Sequence, residues 1–208
     1  YGPTIPTGNL SWWGYNQMRQ VNSFLEQIPT ASITENEKKQ FTAEGRFIRA
    51  FHYFAMVKRY GGVPLITETQ SYDSGNVEAL QIPRAKEQEI FDFIAAELDL
   101  AIADLPASYT MTQGENRVSK WAALALKSRA MLYAASIAKY GDVELNGLVG
   151  IPANLANNYW ELSRAASKQI IDGGGFELYN LNEDKAKNFQ ELFTNGNAAS
   201  NKEGIFVK

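Results

Sequence analysis

Few side chains in this chain could do chemistry, and their spacing decides most of what they could do. The single histidine, His52, has no cysteine and no second histidine beside it, so an ordinary zinc site cannot be assembled. There is no Gly-x-Ser-x-Gly elbow to supply a serine nucleophile, and His52 falls mid-helix, where it reads as a packed or surface position. Glu97 with Asp99, or Asp99 with Asp104, would suit acid and nucleophile work on a glycosidic bond only if held in a cleft at a set separation. On an amphipathic helix they fall on the polar face and are expected to be solvated. Gly173-Gly174-Gly175 runs into Phe176-Glu177 rather than Lys-Ser/Thr, so it reads as a helix end and a turn, not a phosphate cradle. No catalytic residue, metal-ligand set or cofactor motif is expected.

The aromatics are more informative. Trp, Tyr and Phe make up 12% of the residues, and not all of them fit a helical stripe. Trp12 and Trp13 stand side by side at a helix start, so both cannot point into one core. Tyr1, Tyr72 and Tyr109 lie in polar loops, and Gln70-Ser71-Tyr72-Asp73-Ser74-Gly75-Asn76 mixes an aromatic ring with hydroxyl, carboxylate and amide groups. A sugar ring has an apolar C–H face and a hydroxyl rim, so it stacks on exposed Trp or Tyr while Asn, Asp and Arg take the hydroxyls. Trp12, Trp13, Tyr72 and Asn76 are the candidate ligand-binding residues, weighed against the plainer alternative that a loop aromatic packs on its own domain.

The elements that must position these residues are mainly helical. Helices are expected over Trp13 to Gln27, Glu35 to Tyr60, Lys86 to Leu105, Lys120 to Tyr140 and Tyr159 to Asp172, with a short one around Asn188 to Thr194. Thr34 and Glu37 form a capping box for the second, and Gly61-Gly62 followed by Pro64 ends it; at about 26 residues it is roughly 40 Å long. Phe41, Phe47, Phe51 and Phe54 are expected along one side of it. Strands are expected only over Val63 to Thr67 and Gly204 to Val207. A shift of 80 residues sets Arg49-Ala50 on Arg129-Ala130, Tyr53 on Tyr133 and Tyr60-Gly61 on Tyr140-Gly141. Two helix hairpins with small alanines at their contacts are how tetratricopeptide-type arrays bury a core. The connections Gly61 to Ala85 and Gly141 to Asn158 exceed those of a regular array, and long loops on a helical scaffold are where function sits.

Composition sets outer bounds. An apolar share of 45% and a charged share of 21% over 208 residues suit one well-buried domain spanning 1–208. With 20 basic against 23 acidic residues and a net charge of -3, no basic face awaits a phosphate backbone, so nucleic acid is excluded as a partner. No apolar run approaches the roughly 18 residues of a membrane span. The absence of cysteine rules out disulfides, thiolate metal sites and a cysteine nucleophile. Tyr1-Gly2-Pro3 shows no secretory lead, as would also hold for a chain whose targeting segment had been removed.

The stretch Arg46-x-x-Arg49-Ala50-Phe51-x-Tyr53-Phe54, running into Tyr60-Gly61-Gly62-Val63-Pro64-Leu65, resembles the SusD/RagB family of outer-membrane nutrient-binding lipoproteins. Three further segments are similar to that family, in its order: Ser11 to Ile28 with Tyr15 and Asn22 seven apart, Ile82-Pro83-Arg84 leading into Glu89 to Pro106, and Arg117-Val118-Ser119-Lys120 leading into Trp121 to Ser136. The resemblance covers most of residues 11–140. It implies a helical, tetratricopeptide-like superhelical core with long irregular loops. It also implies binding without catalysis: capture of oligosaccharides, or in some branches peptides, at the bacterial outer surface and delivery to a TonB-dependent SusC-like transporter. Members are much longer and carry a lipid-bearing cysteine, so this chain is expected to be the N-terminal part of a longer, lipid-anchored protein. The rival reading is an intracellular helical-repeat scaffold that binds a protein partner in a concave groove.

Overall fold

Capping residues set both ends of the longest helix. In this computed structural model, which describes residues 12–72, 75, 77–109, 117–194 and 202–206, α2 runs Glu35–Tyr60. Thr34 Oγ1 accepts the Glu37 N–H at 3.3 Å while the Glu37 carboxylate accepts the Thr34 N–H at 2.9 Å, which satisfies two otherwise orphan donors. At the other end Gly61 takes φ 67°, and its N–H returns to the Val57 carbonyl. The same local logic starts α4 (Lys120–Tyr140), where the Ser119 hydroxyl accepts the Ala122 N–H.

The other helices among the described residues are α1 (Tyr15–Gln27), α3 (Glu87–Asp104), α5 (Ala156–Gly173) and α6 (Lys185–Thr194). α1 begins at Tyr15 rather than Trp13: Gly14 takes the cap position, with ψ 25° outside the helical range and no side chain to close the first turn. Trp12 and Trp13 are thereby left in the lead-in, outside the helical ladder. α5 starts at Ala156 rather than Tyr159, fed by a 3₁₀ turn over Ala153–Leu155.

The helices stack in chain order, α1 on α2, α2 on α3, α3 on α4 and α4 on α5, while α2 and α4 barely touch. This serial stacking is the tetratricopeptide-like, mainly α architecture the sequence implies. α4 lies between α3 and α5, and Ala122, Ala123, Ala130, Ala134, Ala135 and Ala138 are all buried along it. Small side chains on both flanks let two neighbours approach one helix closely. Ala50 and Ala130 are both fully buried, in keeping with the 80-residue correspondence. It breaks at the polar positions: Arg49 and Tyr53 are buried, whereas Arg129 and Tyr133 are exposed.

Three expectations are corrected. Phe41, Phe47, Phe51 and Phe54 do not form one core stripe. Six residues separate Phe41 from Phe47, which puts them about 120° apart around the helix; Phe41 instead lies under the Arg117 guanidinium, 5.0 Å from it. Phe54 meets Phe91 and Tyr133 edge-on in the core, but Phe51, at the rim between α2 and α4, stays 46% exposed. Second, Glu97 is not on a solvated face. It is 4% exposed and held by two arginines, Arg46 and Arg49 of α2. Third, neither expected strand forms among the described residues. The stretch after Gly62 is extended, with one antiparallel bridge between Pro64 and Arg84. Gly204 to Phe206 packs through Ile205 on Leu124, Ala166 and Ile170 and through Phe206 on Phe47; Val207 lies outside the described residues.

The connection from α4 to α5 is fastened at its far end by Glu87, whose buried carboxylate accepts the Gly150 N–H at 2.5 Å. Burial pushes the Glu87 pKa above its ordinary 4.5, and the hydrogen bond to Gly150 pulls it partly back. A folded-state pKa above the unfolded value means that the folded chain holds the proton more tightly. Stability is therefore fully present below 4.5 and falls as pH rises from 4.5 through the raised value. Glu87→Gln keeps an acceptor for Gly150 and removes the titration. Denaturation midpoints between pH 4 and pH 7 should show this decline flattened in the variant. A decline of the same size in both proteins would locate it on another group.

Candidate functional site

Trp12 and Trp13, left outside α1, are held by side chains from α2. The Trp12 N–H donates to Tyr60 Oη at 2.9 Å, the Arg59 guanidinium lies 5.3 Å from the Trp12 ring, and the His52 ring centroid is 6.2 Å away. Trp13 meets Tyr15 and Tyr60 edge-on at centroid distances of 5.0 and 5.3 Å. Trp12 is 39% and Trp13 54% exposed, so each residue is packed in part and open in part. Neither ring is buried in the core. His52 is packed between Trp12 and Phe51, and burial lowers its pKa and favours the neutral ring.

Next to this corner the extended segment after Gly62 runs along α1; apart from the bridge at Pro64, where the Val63 carbonyl accepts the Ala85 N–H at 3.0 Å, its backbone partners are side chains. Tyr15 Oη donates to the Pro64 carbonyl at 2.5 Å, and Tyr53 Oη both accepts the Ile66 N–H at 2.7 Å and lies 2.9 Å from the Ile66 carbonyl. Buried Asn22 donates to the carbonyls of Ile66 and Glu68, Arg49 donates to Thr67 O at 3.0 Å, and the Glu26 carboxylate takes the N–H and hydroxyl of Thr69. These two hydrogen bonds hold the exposed Glu26 carboxyl below its ordinary pKa. Extended backbone buried against helices needs such partners, because unpaired amides and carbonyls there cost free energy.

A cleft of about 130 Å³ opens between α1 and this segment, lined by Tyr15, Asn16, Met18, Arg19, Ile66, Glu68 and Gln70. It continues into an open trough along α1 past Gln20, Ser23, Phe24 and Gln27. Amide, guanidinium and hydroxyl groups spaced three and four residues apart supply donors and acceptors in the alternation that a hydroxyl rim requires. Tyr72, 74% exposed, ends the segment, and no ring contact joins it to Trp12 or Trp13. Asn76 lies outside the described residues, as does Tyr1. Tyr109 packs on its own domain, its hydroxyl 2.9 Å from Glu44 Oε1 and 2.8 Å from the Val118 carbonyl. Asn16, Arg19, Gln20 and Gln70 were not among the sequence candidates. For the first three the signal was the polar side of α1, away from Met18 and Asn22, which looks like an ordinary solvated face until the 63–70 segment is seen beside it; Gln70 belongs to that segment, at the start of the polar loop 70–76.

A serially stacked helical core with an aromatic corner and an amide-lined cleft defines the class, and the comparisons with known proteins name the family. The SusD-like family model, described as starch-binding and associating with the outer membrane, matches residues 6–132. That is more than half of the chain, and the chain belongs to this family. It is 26% identical over 185 residues to a SusD-like protein of Bacteroides ovatus, covering 86% of this chain and 30% of that one. A SusD-like protein from Bacteroides fragilis of known crystal structure is 33% identical with a TM-score of 0.70, over 92% of this chain and 31% of that one. A SusD-like carbohydrate binding protein of known crystal structure, also from Bacteroides fragilis, is 27% identical with a TM-score of 0.66. The chain thus spans less than a third of the length of these relatives.

Proposed function

We propose that this chain supplies part of a glycan-binding surface, in a protein that captures oligosaccharides without chemistry at the outer face of a bacterial outer membrane. The observation that carries this reading is the half-open Trp12–Trp13 pair beside the amide-lined cleft of α1, in a chain whose family description names starch binding. One sugar ring stacks on an indole through its apolar face, while Asn16, Arg19 and Gln70 take hydroxyls and Tyr72 and Asn76 extend the surface. The whole protein would be lipid-anchored, with this chain as its N-terminal helical part. It would pass its cargo to a TonB-dependent SusC-like transporter. Such handover requires release, which suits contacts made of stacking and neutral hydrogen bonds.

Removing either indole should cost a stacking contact of about 1–2 kcal/mol, or roughly five- to thirtyfold in affinity. Isothermal titration of Trp12→Ala and Trp13→Ala with α-glucan, β-glucan and xyloglucan oligosaccharides checks this. Affinity for a neutral glycan should be nearly unchanged between low and physiological ionic strength. A protein that binds none of the panel, or variants that bind as the wild type does, would move the function away from this corner.

A further inference from the structure

We propose that Tyr60 is the positioning residue for the Trp12–Trp13 pair, so that the end of α2 decides whether the two indoles stand ready as a stacking platform. The inference rests on the glycan-binding reading of that corner, and it assigns Tyr60 no contact with the ligand.

No helix ladder orders the two residues that carry the indoles. They precede α1, whose cap residue Gly14 makes no side-chain capping bond. Tyr60 reaches both residues from another element. Its hydroxyl takes the Trp12 main-chain N–H at 2.9 Å, which fixes the height of the chain. Its ring meets Trp13 at 5.3 Å with an interplanar angle of 80°, which fixes the tilt of the exposed indole. One polar and one apolar contact from a single side chain constrain two neighbouring residues that no helix ladder holds.

Tyr60 can do this because it is itself pinned. It is the last residue of α2, and a helix end frays unless its free carbonyls find partners. Arg84 supplies them: its guanidinium donates to the Tyr60 carbonyl at 2.5 Å and to the Gly62 carbonyl at 2.6 Å. Gly61, at φ 67°, turns the chain away immediately beyond. The Tyr60 backbone, from which its side chain projects, is thus fixed, and the lead-in to α1 leans against that side chain. A loosely held indole must be ordered when the sugar arrives, and immobilising one such side chain costs about two- to tenfold in affinity. Tyr60 bears that cost in advance, during folding.

The test has a ligand-free arm and a binding arm, both on the full chain. The protein is labelled with 5-fluorotryptophan, and its four ¹⁹F resonances, for Trp12, Trp13, Trp121 and Trp160, are assigned by single Trp→Phe variants. In Tyr60→Ala, the Trp12 and Trp13 resonances should collapse toward the free amino-acid shift while Trp121 and Trp160 stay in place, showing an intact fold. Tyr60→Phe keeps the ring and should restore Trp13 more fully than Trp12. Unmoved Trp12 and Trp13 resonances in Tyr60→Ala overturn the proposal. So does an effect that spreads to Trp121 and Trp160, since Tyr60 would then be a general stability residue.

In the binding arm, using whichever oligosaccharide of the panel titrates, Tyr60→Ala should weaken affinity about fivefold. In a Trp12→Ala/Trp13→Ala background it should add less than twofold further. Equal losses in both backgrounds would mean that Tyr60 acts independently of the pair, which overturns the proposal. Failure of the wild type to bind any panel member overturns the glycan reading alone, and the fluorine spectra still decide whether Tyr60 positions the indoles.

Discussion

Glu97→Ala is expected to lower the stability of this chain by about 3–5 kcal/mol, the range for removing one partner of a buried ion pair. Glu97 lies 48 residues beyond Arg49 and accepts from its Nε at 2.8 Å, while its other oxygen takes Arg46 at 2.5 Å. Arg49 is buried as well and spends its remaining donors on Asn22 Oδ1 and the Thr67 carbonyl. The network therefore ties α1, α2, α3 and the extended segment together at one point. Alanine at 97 leaves a guanidinium charge in the interior without its counter-ion. For a chain of this size the loss corresponds to a melting point lower by roughly 10 °C.

Two companion variants separate charge from packing. Glu97→Gln keeps the acceptors and loses the charge, and should fall between alanine and wild type. Arg49→Met with Glu97→Leu replaces the pair by apolar groups and should recover part of the loss, since it removes the buried charge but leaves Asn22 Oδ1 and the Thr67 carbonyl without the Arg49 donor and Arg46 without its acceptor. Urea denaturation reads all three. A Glu97→Ala protein within 1 kcal/mol of wild type would show that the pair is exposed in solution and the network has been misread.

Gly62→Ala is expected to cost about 3 kcal/mol or more, at the upper end of single-substitution effects. A Cβ at Gly62 would sit 1.9 Å from the Ala85 carbonyl oxygen and 3.1 Å from the Glu87 N–H nitrogen, both main-chain atoms that cannot swing aside. The same residue gives its N–H to the Leu148 carbonyl at 2.6 Å, so any shift also disturbs the α4–α5 connection. Gly175 is the natural contrast. It has φ 66°, which disfavours alanine, but nothing lies within 4 Å of its Cβ position, so Gly175→Ala should cost only about 1–2 kcal/mol. Thermal melts of the two variants side by side decide the matter: equal losses would mean that the crossing at Gly62 relaxes freely.

Helix limits were legible where the signals that set them are local. Thr34 and Glu37 close the first turn of α2 and Gly61 its last, all within a few residues of the ends they define, and the expected Glu35–Tyr60 is the observed helix. α4 was likewise read at Lys120–Tyr140. The same locality explains the errors. Val63 to Thr67 has an extended pattern, and the chain is extended there, but whether the partner is a strand or a row of side chains is decided by residues up to 50 positions away. Glu97 carries a charge that any local reading sends to solvent; only the approach of α2 to α3, which brings Arg46 and Arg49 to it, makes burial the better outcome.

The candidate site divides in the same way. That Trp12 and Trp13 could not both enter one core follows from their adjacency alone, and both rings are indeed half open. Their arrangement could not be read from the chain, because Tyr60 and Arg59 reach them from the far end of α2, nearly 50 residues on. Nor could the cleft beside Asn16, since one of its walls is α1 and the other is a segment more than 40 residues later, held there by Asn22, Tyr53 and Arg49. Sequence alone determined the helices, their caps and the surplus of aromatic rings, because these depend on neighbours along the chain. The tertiary structure decided which charge is buried, which backbone is paired by side chains and where the rings stand, because each depends on contacts between residues that only folding brings together.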